Sequence, residues 1–272
     1  GTHTQDEVQS INVEGTKNVL NACQNAGVNV LVYTSSLDAV FTGKKVCYMD
    51  ETTPYPKHHP NAYCRSKAEA EKLVRSADGN GLCTICLRPA DIYGEGDPFH
   101  IGSLIEMAEK GVYVRIGDGS SKCCHVYVGN VAAAHIQAAT ALANGRLSLG
   151  GNVYLITDAP PSNFFSFFDY ILLEAGYRLR PPNVWLPQWL MYIGGCIAEF
   201  AALLIRPFIR KNPRLSRFAV TYTCSDIVFS SVKAKEDFNF TPKYTQDEAL
   251  RRTVAYYASH RKDRCRTSKS NS

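Results

Sequence analysis

The chain's 272 residues are 45% hydrophobic and 20% charged, enough apolar material for a core in one large domain or a domain with a smaller lobe, which excludes wholesale disorder. A formal charge of +5 argues against a nucleic-acid partner, because the basic residues gather only at 206–217 and in the tail 261–269, read as a solvated face and a frayed end. Ten cysteines would suit a disulfide framework, yet they lie inside apolar segments (Cys83, Cys86, Cys196) or side by side (Cys123, Cys124), which predicts reduced thiols and an intracellular protein.

The first predicted element is a helix over 6–26, in which Val8, Ile11, Val19, Leu20 and Cys23 form an apolar stripe and Gly27 sets the stop. The run 28–33 is β-branched and nearly continuous, as in a strand buried on both faces of a parallel sheet. It ends at Thr34-Ser35-Ser36, and a loop rich in Thr, Pro and His leads to a helix over 62–76 and a strand over 82–87. Cys83 and Cys86 have redox-motif spacing, but they sit in that strand rather than at a helix start, so packing is their predicted role. Helix, strand, loop, helix, strand is the rhythm of a doubly wound α/β sheet, whose sites collect at the carboxyl ends of strands, where Ser36 lies. Further helices are predicted over 101–110, 131–144, 164–175, 187–205 and 246–260, with a strand over 153–157. The expected division is a sheet domain over 1–160 and a smaller, mixed C-terminal lobe over 161–272, the two interleaved, with an apolar helix at 184–205.

Tyr63-Cys64-Arg65-Ser66-Lys67 places a phenol and an amine one helical turn apart on one face. Alone, that spacing would favour a solvated helix face. It is joined by Asn12-Val13-Glu14-Gly15-Thr16, Tyr33-Thr34-Ser35-Ser36, Asp50-Glu51 with Pro54, Arg88-Pro89 with Tyr93-Gly94, and His125-Val126-Tyr127-Val128-Gly129-Asn130-Val131. In these motifs the chain resembles the extended short-chain dehydrogenase/reductases, whose sheet is Rossmann-like. The resemblance implies Ser36, Tyr63, Lys67 and Asn12 as the catalytic set. It also implies NAD or NADP as cofactor, NAD being favoured, with Lys67, Tyr63, Pro89, Ile92 and Tyr93 beside it, and no metal. Asn130 stands where the family commonly has aspartate, which puts a local contact in question rather than the chemistry.

The residue types fit that chemistry. A phenol of pKa near ~10 is a poor base for an alcohol proton unless a neighbouring cation favours the phenolate, the role implied for Lys67. Ser36 would hold the substrate oxygen. For Asn12 the family implies a water-mediated proton relay, against the plainer role of a polar group satisfying backbone; Arg88 has the plain alternative of pairing an acid at the sheet end. Extended members open with a strand and a glycine-rich turn that holds the pyrophosphate. This sequence starts at Gly1 and enters the pattern at the helix before the serine strand. The expectation is therefore a fragment whose sheet lacks its first strands and that binds dinucleotide poorly.

Within the extended group the resemblance is to the 3β-hydroxysteroid dehydrogenase family. It rests on Tyr154-Leu155-Ile156-Thr157-Asp158, Phe164-Phe165 with Phe167-Phe168, Leu186-Pro187, Glu199, Arg206-Pro207, Phe229-Ser230, Lys233-Ala234, Glu248-Ala249 and Thr253-Val254. It implies oxidation of a 3β-hydroxyl on a steroid or sterol, which a Phe- and Leu-rich lobe could enclose. The stretch 184–217, apolar and then basic, suits contact with a membrane surface and equally a helix buried in the substrate lobe, with Glu199, Pro187 and Gly194-Gly195 arguing against a simple spanning helix. Endoplasmic-reticulum or mitochondrial membrane association and a homodimer are the corresponding expectations. The rival readings are a reductase or nucleotide-sugar epimerase of the same fold, and a catalytically silent cofactor-binding module.

Overall fold

The computed structural model describes residues 4–44, 48–79, 81–205, 213 and 215–270, with side chains as far as 261. The chain begins with α1 (Gln5–Gln9), whose start carries a capping box between Thr4 and Glu7. A π-helical turn, Ser10–Glu14, joins it to α2 (Gly15–Asn25). The predicted helix is thus continuous but widened by one turn around Asn12. Gly27, at φ +66°, ends it as expected.

The strand β1 (Val30–Thr34) leads by a long loop to α3 (Ala62–Ser76), then to β2 (Cys83–Pro89). After β2 come β3 (Asp91–Tyr93), α4 (His100–Glu109), β4 (Arg115–Ile116), β5 (His125–Tyr127), α5 (Val128–Ala143) and β6 (Asn152–Ile156). The C-terminal part holds α6 (Phe164–Glu174), β7 (Trp185–Leu186), α7 (Gln188–Ile205), α8 (Arg217–Thr223), α9 (Val232–Phe238) and α10 (Gln246–Ser270). The sequence pattern located the longer elements to within a few residues. It did not reveal β3, β4, β5, β7, α8 or α9, which are too short to show a period.

The main sheet is parallel, in the order β1-β2-β6, with Val30 opposite Cys83 and Ile85 opposite Asn152. This is the α/β, Rossmann-like arrangement that the sequence indicated. From Thr84 to Pro89, β2 is buried, as a central parallel strand must be. β3 and β5 form a second parallel pair, and β4 and β7 a third. One hydrophobic cluster runs from Leu37 and Phe41 through Ile85, Leu87 and Tyr93 to Phe168, Ile171, Phe240 and Tyr257.

The eight described cysteines are free thiols, and Cys83 and Cys86 lie in β2. The basic flank expected after α7, including the Arg206-Pro207 motif with Arg210, Lys211 and Arg214, falls outside the described residues, as does the start of the chain at Gly1.

Candidate active site

β1 delivers Ser35 and Ser36 to its carboxyl end. Ser36 leaves the strand in extended backbone and caps the short turn Leu37–Ala39, its hydroxyl accepting from Asp38 N at 3.1 Å. The start of α3 is fixed by Asn61, whose side chain accepts from Cys64 N at 2.8 Å. That cap sets Tyr63 in the first turn, where the Ser36 side chain lies close enough to draw its phenol's pKa down. Two of the expected catalytic residues, from different elements, therefore meet.

Lys67 follows one turn later. Its Nζ donates to Thr34 O at 2.7 Å and to Tyr33 Oη at 3.2 Å, and it lies 4.7 Å from the centre of the Tyr33 ring. An ammonium has three N–H donors, so one is left beyond these two bonds. Burial pushes the Lys67 amine down to about 8, against the pull of Glu71 and Asp38. Burial also raises the Tyr63 phenol, and the nearby Asp38 carboxylate raises it further, while the Ser36 side chain opposes both. Tyr63 nonetheless keeps 42% of its surface exposed, so its ring is accessible from outside. Asp38 is pushed up to about 6 by burial and by Asp91, which places a second titrating group beside the serine and the phenol.

Asn12 has a local task. Its Nδ2 donates to Ser66 Oγ at 2.9 Å, and Ser66 in turn donates to Tyr63 O at 2.8 Å. The π turn thereby fastens onto α3 between the tyrosine and the lysine, and a π turn at such a place is a common mark of a functional site. Among the described residues no hydrogen bond joins Asn12 to Lys67. Pro89 is buried at the end of β2, and Tyr93 is buried against Phe167 and Tyr127, with ring centres 4.9 and 5.8 Å away. Of the three residues expected to border a nicotinamide beyond the Tyr–Lys pair, Ile92 is the one with a partly exposed side chain.

Sequence reasoning missed Glu71. It stands one further turn along the face that carries Tyr63 and Lys67, is buried, and accepts from the Ser35 hydroxyl, from Arg88 Nε at 2.9 Å and from Arg88 Nη2 at 2.6 Å. These bonds hold its carboxyl below the usual range despite burial. They also tie the serine end of β1 to β2 and α3. Arg88 is thus the partner of a buried acid, its plainer alternative. The repeat 63, 67, 71 was the available signal. Asn130 donates to Asp158 Oδ2 at 2.6 Å and to Tyr244 O at 2.9 Å, and its Oδ1 accepts from Tyr244 N at 2.8 Å, so it braces α5 against the strand end and the approach to α10.

The model of the 3-beta hydroxysteroid dehydrogenase/isomerase family matches residues 1–187. The chain is 38% identical over 251 residues to a 3beta-hydroxysteroid-dehydrogenase/decarboxylase, isoform 1, of Arabidopsis thaliana; the match covers 90% of this chain and 57% of that protein. It is 32% identical to the sterol-4-alpha-carboxylate 3-dehydrogenase, decarboxylating, of Schizosaccharomyces pombe, with 93% and 73% covered. Among solved structures, gox2253 superposes with a TM-score of 0.68 at 25% identity, covering 96% of this chain and 75% of that one.

Proposed function

The chain belongs to the 3-beta hydroxysteroid dehydrogenase/isomerase family, and from that membership we propose that it carries the catalytic part of an NAD(P)-dependent oxidoreductase acting on the 3β-hydroxyl of a steroid or sterol. The observation that carries this reading is the convergence of Ser36, from the end of β1, and the Tyr63 phenol, whose pKa the serine draws down, with the Lys67 ammonium one turn along the same helix. Ser36 orients the substrate hydroxyl and Tyr63 takes its proton. Lys67, anchored on Thr34 O and Tyr33 Oη, keeps one donor for a ribose hydroxyl and supplies the positive charge that favours the phenolate. When bound, the dinucleotide provides the nicotinamide carbon that accepts the hydride and a further positive charge near the phenol. Asn12 and Glu71 position these groups rather than touch the substrate.

The Arabidopsis and Schizosaccharomyces relatives carry decarboxylating names, so a 4-carboxysterol belongs among the substrates to be tried. The exposed apolar α7 supports association with an intracellular membrane in which such substrates dissolve. Because the chain spans 57% of the Arabidopsis relative's length, the test joins it to the N-terminal segment that relative carries beyond the match and follows reduced-nucleotide formation with a 3β-hydroxysteroid, a 4-carboxysterol and a UDP-sugar side by side, with both NAD and NADP. The expected result is turnover of a sterol that falls by at least about 100-fold in Tyr63→Phe. Conversion of the UDP-sugar to its epimer, read by separating the sugars because it leaves no net reduced nucleotide, with no sterol oxidised, would move the assignment to an epimerase-type substrate.

A further inference from the structure

β3 and β5 pair in parallel with Asp91 opposite His125. Cys123 lies two residues before His125, a spacing that along extended chain turns both side chains to one face. All three are buried, and one ligand-type atom of each lies within 4.8 Å of the other two. Cys123 Sγ and His125 Nε2 are 3.6 Å apart. Zinc bonds of ~2.3 Å to sulfur and ~2.0–2.1 Å to imidazole, set at a tetrahedral angle, separate those two ligand atoms by about 3.6 Å. One edge of a coordination tetrahedron is thus present before any ion binds.

The carboxylate is the second indication. Asp91 Oδ1 accepts from Tyr222 Oη at 2.5 Å, while Asp91 Oδ2 has no hydrogen-bond partner among the described residues, and neither has His125 Nδ1. A buried, unpartnered carboxylate oxygen is costly, and a cation removes that cost, with the tyrosine on Oδ1 acting as an outer support. His100 Nε2 stands 3.9 Å from Asp91 Oδ1 but outside the group of atoms mutually within 4.8 Å, so it would have to move to take a fourth position. Phe167 stacks on His125 at 4.0 Å between ring centres and Phe168 on His100 at 5.5 Å, which holds both imidazoles in place.

We propose that Asp91, Cys123 and His125 bind a divalent ion of the zinc class, with His100 closing the fourth position. Binding releases the Cys123 thiol proton to solvent and draws the carboxylate inward by up to about 1 Å. The site uses none of Ser36, Tyr63 and Lys67, so its test is independent of the dehydrogenase reading.

The purified chain, free of any histidine tag and kept reduced, is dialysed against zinc and its metal content measured; about one ion per chain is expected to be retained. Loaded with cobalt(II) instead, it should show a thiolate-to-cobalt absorption band, lost in Cys123→Ser and unchanged in Cys124→Ser and Cys196→Ser. Should Cys123→Ser not fold, X-ray absorption at the zinc edge of the unaltered chain decides the matter, one sulfur with nitrogen and oxygen neighbours being required. A shell without sulfur, a band that survives Cys123→Ser, or no retained ion overturns the proposal.

Discussion

Lys67 shows how a single residue is held ready at a cost. Burial lowers its amine from the ordinary 10.5 to about 8, although Glu71 and Asp38 pull the other way. Between these two values the unfolded chain still holds a proton that the folded chain has released, so this lysine's contribution to stability is smallest below pH 8 and grows towards pH 10.5. In Lys67→Met that contribution is absent. The stability difference between variant and wild type should therefore move in favour of the wild type by about 2 kcal/mol from pH 7 to pH 10.5, after discounting for partial exposure. Urea unfolding of both proteins at the two pH values measures it, and a difference that does not change with pH would show that Lys67 is not desolvated. The residue types of this site were legible because Tyr63 and Lys67 share a helix and Ser36 closes an apolar strand. Glu71 was legible only as the next turn of the 63, 67 repeat, and its burial was not; Asp38 was not legible at all. An acid near a helix or loop is ordinary in sequence, and what surrounds it, Arg88 for Glu71 and the like-charged Asp91 for Asp38, lies 17 residues and more away.

At the level of elements, apolar period located the long helices, and it also marks α7 as the element whose surface is unaccounted for. Trp189, Ile193, Ile197, Phe200 and Leu204 recur at helical spacing and are exposed, while on the other side Gly195 packs where a Cβ would lie 2.9 Å from the Arg217 backbone. Glu199 accepts from Arg217 Nε at 2.6 Å, so that other side is engaged with α8. The helix is long and apolar enough to cross a membrane by length and composition, but the Glu199 pair and the one-sided stripe favour a helix lying in the interface. Pairing Ile197→Glu with Phe200→Glu should weaken co-sedimentation with anionic phospholipid vesicles by more than about 10-fold, since two buried side chains are worth several kcal/mol. If the variant pellets as the wild type does but changes its elution volume on gel filtration, the stripe joins two copies of the chain instead. The short strands β3 and β5 carry the opposite lesson. Three residues give no period, so the face that brings Asp91 to His125 is a product of tertiary pairing alone.

For the whole molecule, the two lobes expected from the sequence at 1–160 and 161–272 are joined by one core. Phe168 on α6 lies beyond residue 160, yet it stacks on His100 and meets His125 edge-on at 5.4 Å, and its neighbour Phe167 stacks on His125. Arg115 pairs with Asp169 at 2.6 Å, and Tyr113 donates to the same carboxylate. Side chains from both sides of the expected boundary thus fill the same space, and removing one of them leaves a cavity that neither side can close alone. Phe168→Ala should cost about 3–5 kcal/mol, and the loss should be shared. Hydrogen exchange should rise at the amides of His125–Tyr127 as well as along α6, and unfolding should stay a single transition. Faster exchange confined to α6, with β5 as protected as before, would mean that the C-terminal lobe unfolds on its own and that the sheet keeps its stability without it.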